Sequence, residues 1–289
     1  MRVIFTIIIL AYLSIQFIGC ELIDKAEPIP TYATIDTIKL ETQQNSEGTN
    51  SHKIRDAWLF VDGQLLGAYE LPMKAPVLDE GEHMVEIFAG MADNGIVSYP
   101  EIYPFYNRYI TTKNFIPGET ITIEPSVKYD SKTIFSFIED FEDGNIFGGE
   151  LDGDIGTKIE LIRQGSFEGN RSGKITLTTV SPIFEAATLL EYPIFDKDNV
   201  SSPIYLEINY KNNVPFEVGI MGFKGNAYID KTYVAGFNPK DEWNKVYVNL
   251  TLDTSVMDGD SYKIVIRAAK GDDIETGEIY LDNIKLLHF

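Results

Sequence analysis

Lys245-Val246-Tyr247-Val248-Asn249-Leu250 alternates residue by residue between branched apolar and polar or aromatic side chains, and Lys263-Ile264-Val265-Ile266-Arg267 sets Ile264 and Ile266 against Lys263 and Arg267. Successive side chains of an extended strand point to opposite faces, so each segment must bury one face, whereas a helix would scatter the same residues around its axis. Working outward from these two, the same reading places strands at 157–162, 174–179, 184–191, 204–210, 216–223, 228–234, 243–250, 262–268 and 278–286. They are short, separated by Gly, Asn, Asp and Pro, and show no helical period. This predicts an antiparallel β-sandwich over residues 133–289.

A second, smaller sandwich is predicted upstream, over residues 33–130. Ala57-Trp58-Leu59-Phe60-Val61 runs into Asp62-Gly63, a dipeptide suited to a type I′ hairpin turn, and Leu65-Leu66-Gly67-Ala68-Tyr69 returns as the partner strand. In the next strand His83, Val85 and Ile87 share one face, with Met84 and Glu86 on the other. A first strand is expected within 34–40, a loop at 41–50, and a further strand after Pro117-Gly118. The polar run Lys128-Tyr129-Asp130-Ser131-Lys132-Thr133 marks the boundary. The Val-Asp-Gly hairpin followed by a Gly-Glu-His strand resembles the PEGA-type or immunoglobulin-like modules of bacterial surface proteins. The fold class expected is therefore all-β, a small Ig-like β-sandwich followed by an antiparallel jelly-roll β-sandwich.

Three stretches of the second module carry a further resemblance. Phe137-Ile138-Glu139-Asp140-Phe141-Glu142-Asp143-Gly144, Gly165-Ser166-Phe167-Glu168-Gly169-Asn170-Arg171-Ser172-Gly173-Lys174-Ile175-Thr176-Leu177 and Gly277-Glu278-Ile279-Tyr280-Leu281-Asp282-Asn283-Ile284-Lys285-Leu286 are similar to the opening, the early Gly-Ser loop with its strand, and the last strand of galactose-binding-like jelly rolls. Many carbohydrate-binding modules share that fold. The resemblance implies a structural Ca2+ held by Glu142 or Asp143, Asn170 and Asp282, with hard oxygen ligands that suit the ion. The alternative is a turn of solvated acids. Asp152-Gly153-Asp154 is no EF-hand loop, because Arg163 stands where the bidentate Glu is needed.

At the other end, Met1 to Gly19 has the parts of an export signal: Arg2, an apolar run over 3–13, and a small residue before Cys20. The run is too short to span a bilayer, which takes about 20 residues. Phe17-Ile18-Gly19-Cys20 resembles the lipobox of bacterial lipoproteins. That resemblance implies cleavage before Cys20, covalent lipid (palmitate among the acyl chains) on Cys20, and membrane anchoring through that lipid. It implies a place in the bacterial cell envelope, at the outer membrane and facing the periplasm or the surface, with residues 20–32 as a tether. Cys20 is the sole cysteine of 289 residues, so no internal disulfide, CxxC metal site or redox pair can form.

The chain carries 44 Asp and Glu against 24 Lys and Arg, a net charge of −20. Such a field repels nucleic acid and anionic headgroups, and no nucleic-acid partner is expected. His52, His83 and His288 lie far apart and in no metal-binding spacing. In Gly165-Ser166-Phe167-Glu168-Gly169 the serine stands one place early for a nucleophile elbow. The expectation is a binding protein, not an enzyme.

Sugars stack on flat apolar rings, and Phe223 and Tyr228 are the leading ligand-binding candidates, presented by the Gly222, Gly225, Asn226 loop; Tyr233, Phe237 and Trp243 are further aromatics in the region. The run Tyr99-Pro100-Glu101-Ile102-Tyr103-Pro104-Phe105-Tyr106-Asn107-Arg108-Tyr109 has two readings. A proline-stiffened loop could present Tyr103 and Tyr106 to a ligand, or the tyrosines cover the sandwich edge and contact the next module. Two functions follow: a lipid-anchored protein that captures glycan, or an accessory subunit docking on an outer-membrane protein or secretion assembly.

Overall fold

A computed structural model describes residues 27–289. The leader, Cys20 and residues 20–26 of the expected tether lie outside the described residues. The first strand, Thr31–Ile35, starts two residues before the expected start of the first sandwich at 33, and Ala33 and Ile35 are fully buried.

The first module pairs Asp56–Val61 with Gln64–Glu70 on one side and Gly81–Ala92 on the other. Tyr109–Phe115 adds to the first half of Gly81–Ala92, and Pro100–Ile102 to its second half. Asp62 and Gly63 both take positive φ, 48° and 79°, the geometry a type I′ turn requires. Opposite lie Met73–Val77, Thr31–Ile35 and Thr120–Thr122, with a small parallel pair of Lys39–Glu41 and Ser126–Lys128. The expected single strand at 34–40 is thus two short ones, and the 41–50 loop contains a single helical turn at Gln44–Glu47. Val85 and Ile87 are fully buried and Met84 is exposed, as the alternation requires.

The second module is a sandwich of two antiparallel sheets. One runs Ile159–Ile162, Ser172–Leu177, Gly277–His288, Ile204–Asn212, Lys240–Asn249, with Ile134–Glu139 pairing the far end of Gly277–His288. The other runs Gly149–Glu150, Ile183–Ala187, Ser261–Ala269, Phe216–Lys224, Ala227–Phe237. All nine strands expected from the sequence are present. Ile134–Glu139 and Gly149–Glu150 are additional, as is a helix at Thr251–Met257.

Three strands of the six-stranded sheet are buried on both faces. Leu206, Ile208, Val246, Val248, Leu281 and Leu286 enter the core of their own sandwich. Tyr205, Tyr247 and Leu287, on the opposite face, join the core of the first module. The first module therefore lies across the outer face of this sheet. At its centre Glu207, Lys245 and Lys285 are buried. Lys245 Nζ sits 2.7 Å from Glu207 Oε2, and the hydroxyls of Tyr103 and Tyr129 donate to Glu207 Oε1 at 2.8 and 2.9 Å. Lys285 Nζ donates to the Thr49 carbonyl at 3.0 Å. Burial pushes the Glu207 carboxyl up, but Lys245 and Lys285 outweigh it and hold the group below its ordinary pKa. Burial takes the Lys285 ammonium down to about 8, against the pull of Glu207.

This docking corrects the reading of Tyr103 and Tyr106 as ligand-binding residues. They are 1% and 6% exposed. The Tyr103 ring packs against Tyr106, Tyr205 and Tyr247 at centroid distances of 4.6, 5.6 and 4.7 Å. Rings this deep offer no stacking face to a sugar. They join the two modules, which is the second of the two readings of the loop.

Candidate functional site

With the outer face of the six-stranded sheet occupied, the outer face of the five-stranded sheet is the broad surface of the second module that no strand covers among the described residues. Its two central strands send alternate residues to the core. Phe216, Val218 and Ile220 point into the core and so do Tyr262, Ile264 and Ile266. Their neighbours Glu217, Met221, Phe223, Lys263 and Arg267 must then point outward, and Lys231, Tyr233 and Tyr228 stand beside them on Ala227–Phe237.

On this face Glu185 is an anchor. Its Oε1 accepts short hydrogen bonds from the Tyr233 hydroxyl and Lys231 Nζ. Burial raises the Glu185 carboxyl, but those two donors outweigh it and leave its pKa below the usual value. Tyr233 is pushed up, first by burial and then by its hydrogen bond to Glu185 and the charge of that carboxylate. The Arg267 guanidinium lies 5.3 Å from the Tyr233 ring centroid and 3.8 Å from Glu217. Phe223 and Tyr228 meet edge to face at 6.2 Å, and Lys263 Nζ stands 5.8 Å from the Phe223 centroid. Tyr228 is 54% exposed. Fixed aromatic rings bordered by forked and point-charge donors can stack on apolar ring faces and hydrogen-bond to hydroxyls at once.

Two β-bulges shape the platform, one at Val218/Gly219 and one at Gly222/Phe223. A Cβ on Gly219 would lie 2.1 Å from the Thr232 carbonyl oxygen, so only glycine allows the backbone approach that sets Tyr233 in place.

The structure brings Phe223 and Tyr228 together, as the sequence suggests. It places the other aromatics elsewhere. Phe237 is buried against Tyr210 and Phe216 in the core. Trp243 lies over the other sheet between Phe167 and Tyr280, with its Nε1 donating to the Gly165 carbonyl at 3.3 Å. Glu185, Lys231, Lys263 and Arg267 were not singled out from sequence. The signal was available in Lys263-Ile264-Val265-Ile266-Arg267, whose two cations must point away from a face that buries Ile264 and Ile266.

Of the proposed calcium ligands, Glu142 and Asn170 do meet, but as hydrogen-bond partners. Glu142 Oε1 accepts from the backbone amides of Asn170 and Arg171 at 2.5 and 2.8 Å, and Asn170 Nδ2 donates to Glu142 Oε2 at 3.3 Å. Asp282 is 1% exposed. Its Oδ2 accepts from the amides of Phe167 and Glu168 at 3.0 and 3.3 Å, and its Oδ1 from that of Asn283 at 2.9 Å. Asp143 is exposed. Calcium takes six to eight oxygens. Among the described residues no group of three or more His, Cys, Asp or Glu side chains is placed to hold an ion. Glu142 and Asp282 turn their oxygens to amide hydrogens, Asn170 donates rather than accepts, and Asp143 stands exposed, so the four are not gathered into an oxygen cage for Ca2+ in this arrangement.

Asp282 has its own consequence. Burial, with the Glu168 charge adding to it, pushes the carboxyl up to about 7 despite its three amide donors. Between the ordinary value and about 7 the folded chain keeps a proton that the unfolded chain has lost, so this group's contribution to stability falls as pH rises through that window. Asn has no such proton. The urea midpoint of Asp282→Asn, relative to wild type, should therefore improve steadily from pH 4 to pH 7. A pH-independent difference would remove the assignment.

No protein-family model matches the sequence, and no curated protein matches it. Solved structures do show similarity. One is a family 30 carbohydrate-binding module of a cellulosomal cellulase of Clostridium thermocellum (16% identity, 53% of this chain and 96% of that one, TM-score 0.39). Another is a family 11 carbohydrate-binding module from the same organism, in complex with a β-1,3-1,4-mixed-linked tetrasaccharide (14%, 53% and 95%, TM-score 0.38). A third is the enzymatically active domain of tailspike protein 4 of bacteriophage CBA120 (10%, TM-score 0.36), where the match covers 55% of this chain and 20% of that one.

Proposed function

We propose that the chain is a non-catalytic, lipid-anchored protein of the bacterial cell envelope that captures a glycan on the outer face of its five-stranded sheet. The observation that carries this reading is the platform of Phe223, Tyr228 and Tyr233 bordered by Lys231, Lys263 and Arg267, with Glu185 fixing Tyr233 and Lys231. The anchor is the lipid on Cys20, at the outer membrane.

A glycan array probed with the full chain tests it. Tyr228→Ala removes an exposed ring and is expected to weaken binding about tenfold or more while leaving the melting temperature unchanged. A blank array, together with co-purification of an outer-membrane protein, would reject glycan capture. It would favour the second reading, an accessory subunit of an envelope assembly. That reading draws on Ile96, Val97 and Tyr99, which are 51%, 61% and 69% exposed on one loop of the first module.

A further inference from the structure

Between the two modules lies a cleft of about 260 Å³. Lys53, Arg55 and Asn94 line it from the first module, and Lys240, Asn244 and Lys245 from the second. Four cationic residues thus line one recess of a chain whose net charge is −20, the Lys245 ammonium itself being turned away onto Glu207. Among the described residues no carboxylate lines it.

The four cations are not equally committed. Lys245 is paired with Glu207, and Arg55 reaches Asp56 at 3.2 Å and Glu70 at 3.0 Å. Lys53 and Lys240 make no ion pair among the described residues. Lys53 Nζ donates to the Asn244 Oδ1, and the Asn244 Nδ2 donates in turn to the Tyr210 hydroxyl at 2.8 Å. The amide therefore holds the Lys53 ammonium at the cleft wall without neutralising it. Partial burial, then Lys240 and Arg55, push Lys53 below its ordinary pKa, with no acid pulling the other way.

The site exists only because the modules dock. Lys53 and Arg55 precede the strand Asp56–Val61, Asn94 follows Gly81–Ala92, and the remaining residues lie on Lys240–Asn249. Asn94 locks that contact, its amide donating to the Tyr247 carbonyl at 2.9 Å and its Oδ1 accepting from the Asn249 amide at 2.8 Å. Like charges gathered in a partly enclosed recess repel one another, and a bound anion turns that repulsion into charge-assisted hydrogen bonds.

We propose that this inter-module cleft binds a compact oxyanion, a carboxylate or sulfate group, between Lys53 and Lys240. The site is remote in composition from the aromatic face, sharing none of its residues, and its test is independent of glycan capture there.

Isothermal titration calorimetry of the full chain with inorganic sulfate, glucuronate and glucose is the experiment. Sulfate or glucuronate, or both, should bind at low ionic strength, and glucose should not. Binding of both marks a site for the bare oxyanion, and binding of glucuronate alone marks a sugar-borne carboxylate. Lys53→Gln and Lys240→Gln should each weaken binding about tenfold, the usual scale of one lost charge-assisted bond. Lys263→Gln, on the aromatic face, should leave it unchanged. Melting curves establish that each variant is folded, and exposed Lys240 serves if Lys53→Gln is not. The proposal is overturned if neither anion binds the wild type at millimolar concentration. It is equally overturned if folded Lys240→Gln binds as wild type, or if Lys263→Gln weakens binding as much.

Discussion

Glu207→Ala is expected to cost about 3–5 kcal/mol of folding stability, because it strips the buried Lys245 ammonium of its ion-pair partner and the buried Lys285 ammonium of the nearby charge that favours it. Lys245 and Lys285 are 5% and 0% exposed, and Tyr103 and Tyr129 lose their acceptor in the same step. Urea unfolding at pH 7 measures it. Glu207→Gln keeps an acceptor for the tyrosines but not the charge, and should fall between wild type and alanine. The sign with pH follows from the lowered pKa of Glu207. Its contribution is fully present above the unfolded value of about 4.3 and is lost as pH falls through the folded one. The gap between wild type and Glu207→Gln should accordingly hold at neutral pH and close in acid. A cost below about 1 kcal/mol for Glu207→Ala would mean that the modules do not dock on this face.

Tyr103→Ala is expected to cost a similar amount, about 3–5 kcal/mol, by emptying a fully enclosed aromatic site. Its ring touches Phe105, Tyr106, Tyr205 and Tyr247 from both modules, so no single neighbour can collapse into the space. Tyr103→Phe keeps the ring and loses only the bond to Glu207, at about 1.5–3 kcal/mol. Combined with Glu207→Gln it should cost less than the sum of the two, since both act on one bond. None of these variants should reduce glycan binding while folded. Tyr228→Ala should show the reverse, with binding lost and stability kept. Glycan binding abolished by Tyr103→Phe at unchanged stability would restore the loop as a binding element.

Much of the fold was legible before any tertiary information. Nine strands of the second module were legible from their apolar runs and the turn residues between them, and Asp62-Gly63 announced its turn because few other pairs accept positive φ at both positions. The misses have physical causes. Ile134–Glu139 carries Phe135, Ile138 and other apolar residues on both faces, so it shows no clean period of two. Residues 34–40 are broken at Asp36-Thr37, which alternation over seven residues could not resolve. For the candidate site, sequence supplied Phe223 and Tyr228. It could not separate them from Phe237 or Trp243, because an aromatic ring fits a core, an interface or a ligand equally well.

The sequence by itself determined that this protein is all-β, where most of its strands and turns fall, and which side chains share a face. Every strand has two faces, however, and alternation cannot say what covers each. Only the tertiary structure decided that Tyr205, Glu207, Tyr247, Lys285 and Leu287 face a second module, which buries Tyr103 and Tyr106 with them. It also decided that Lys231, Tyr233, Lys263 and Arg267 border an open surface, and that Lys53 and Lys240 meet across a cleft. The physical reason is that these pairings join residues as far as 236 positions apart, set by how two finished sandwiches fit rather than by any local pattern.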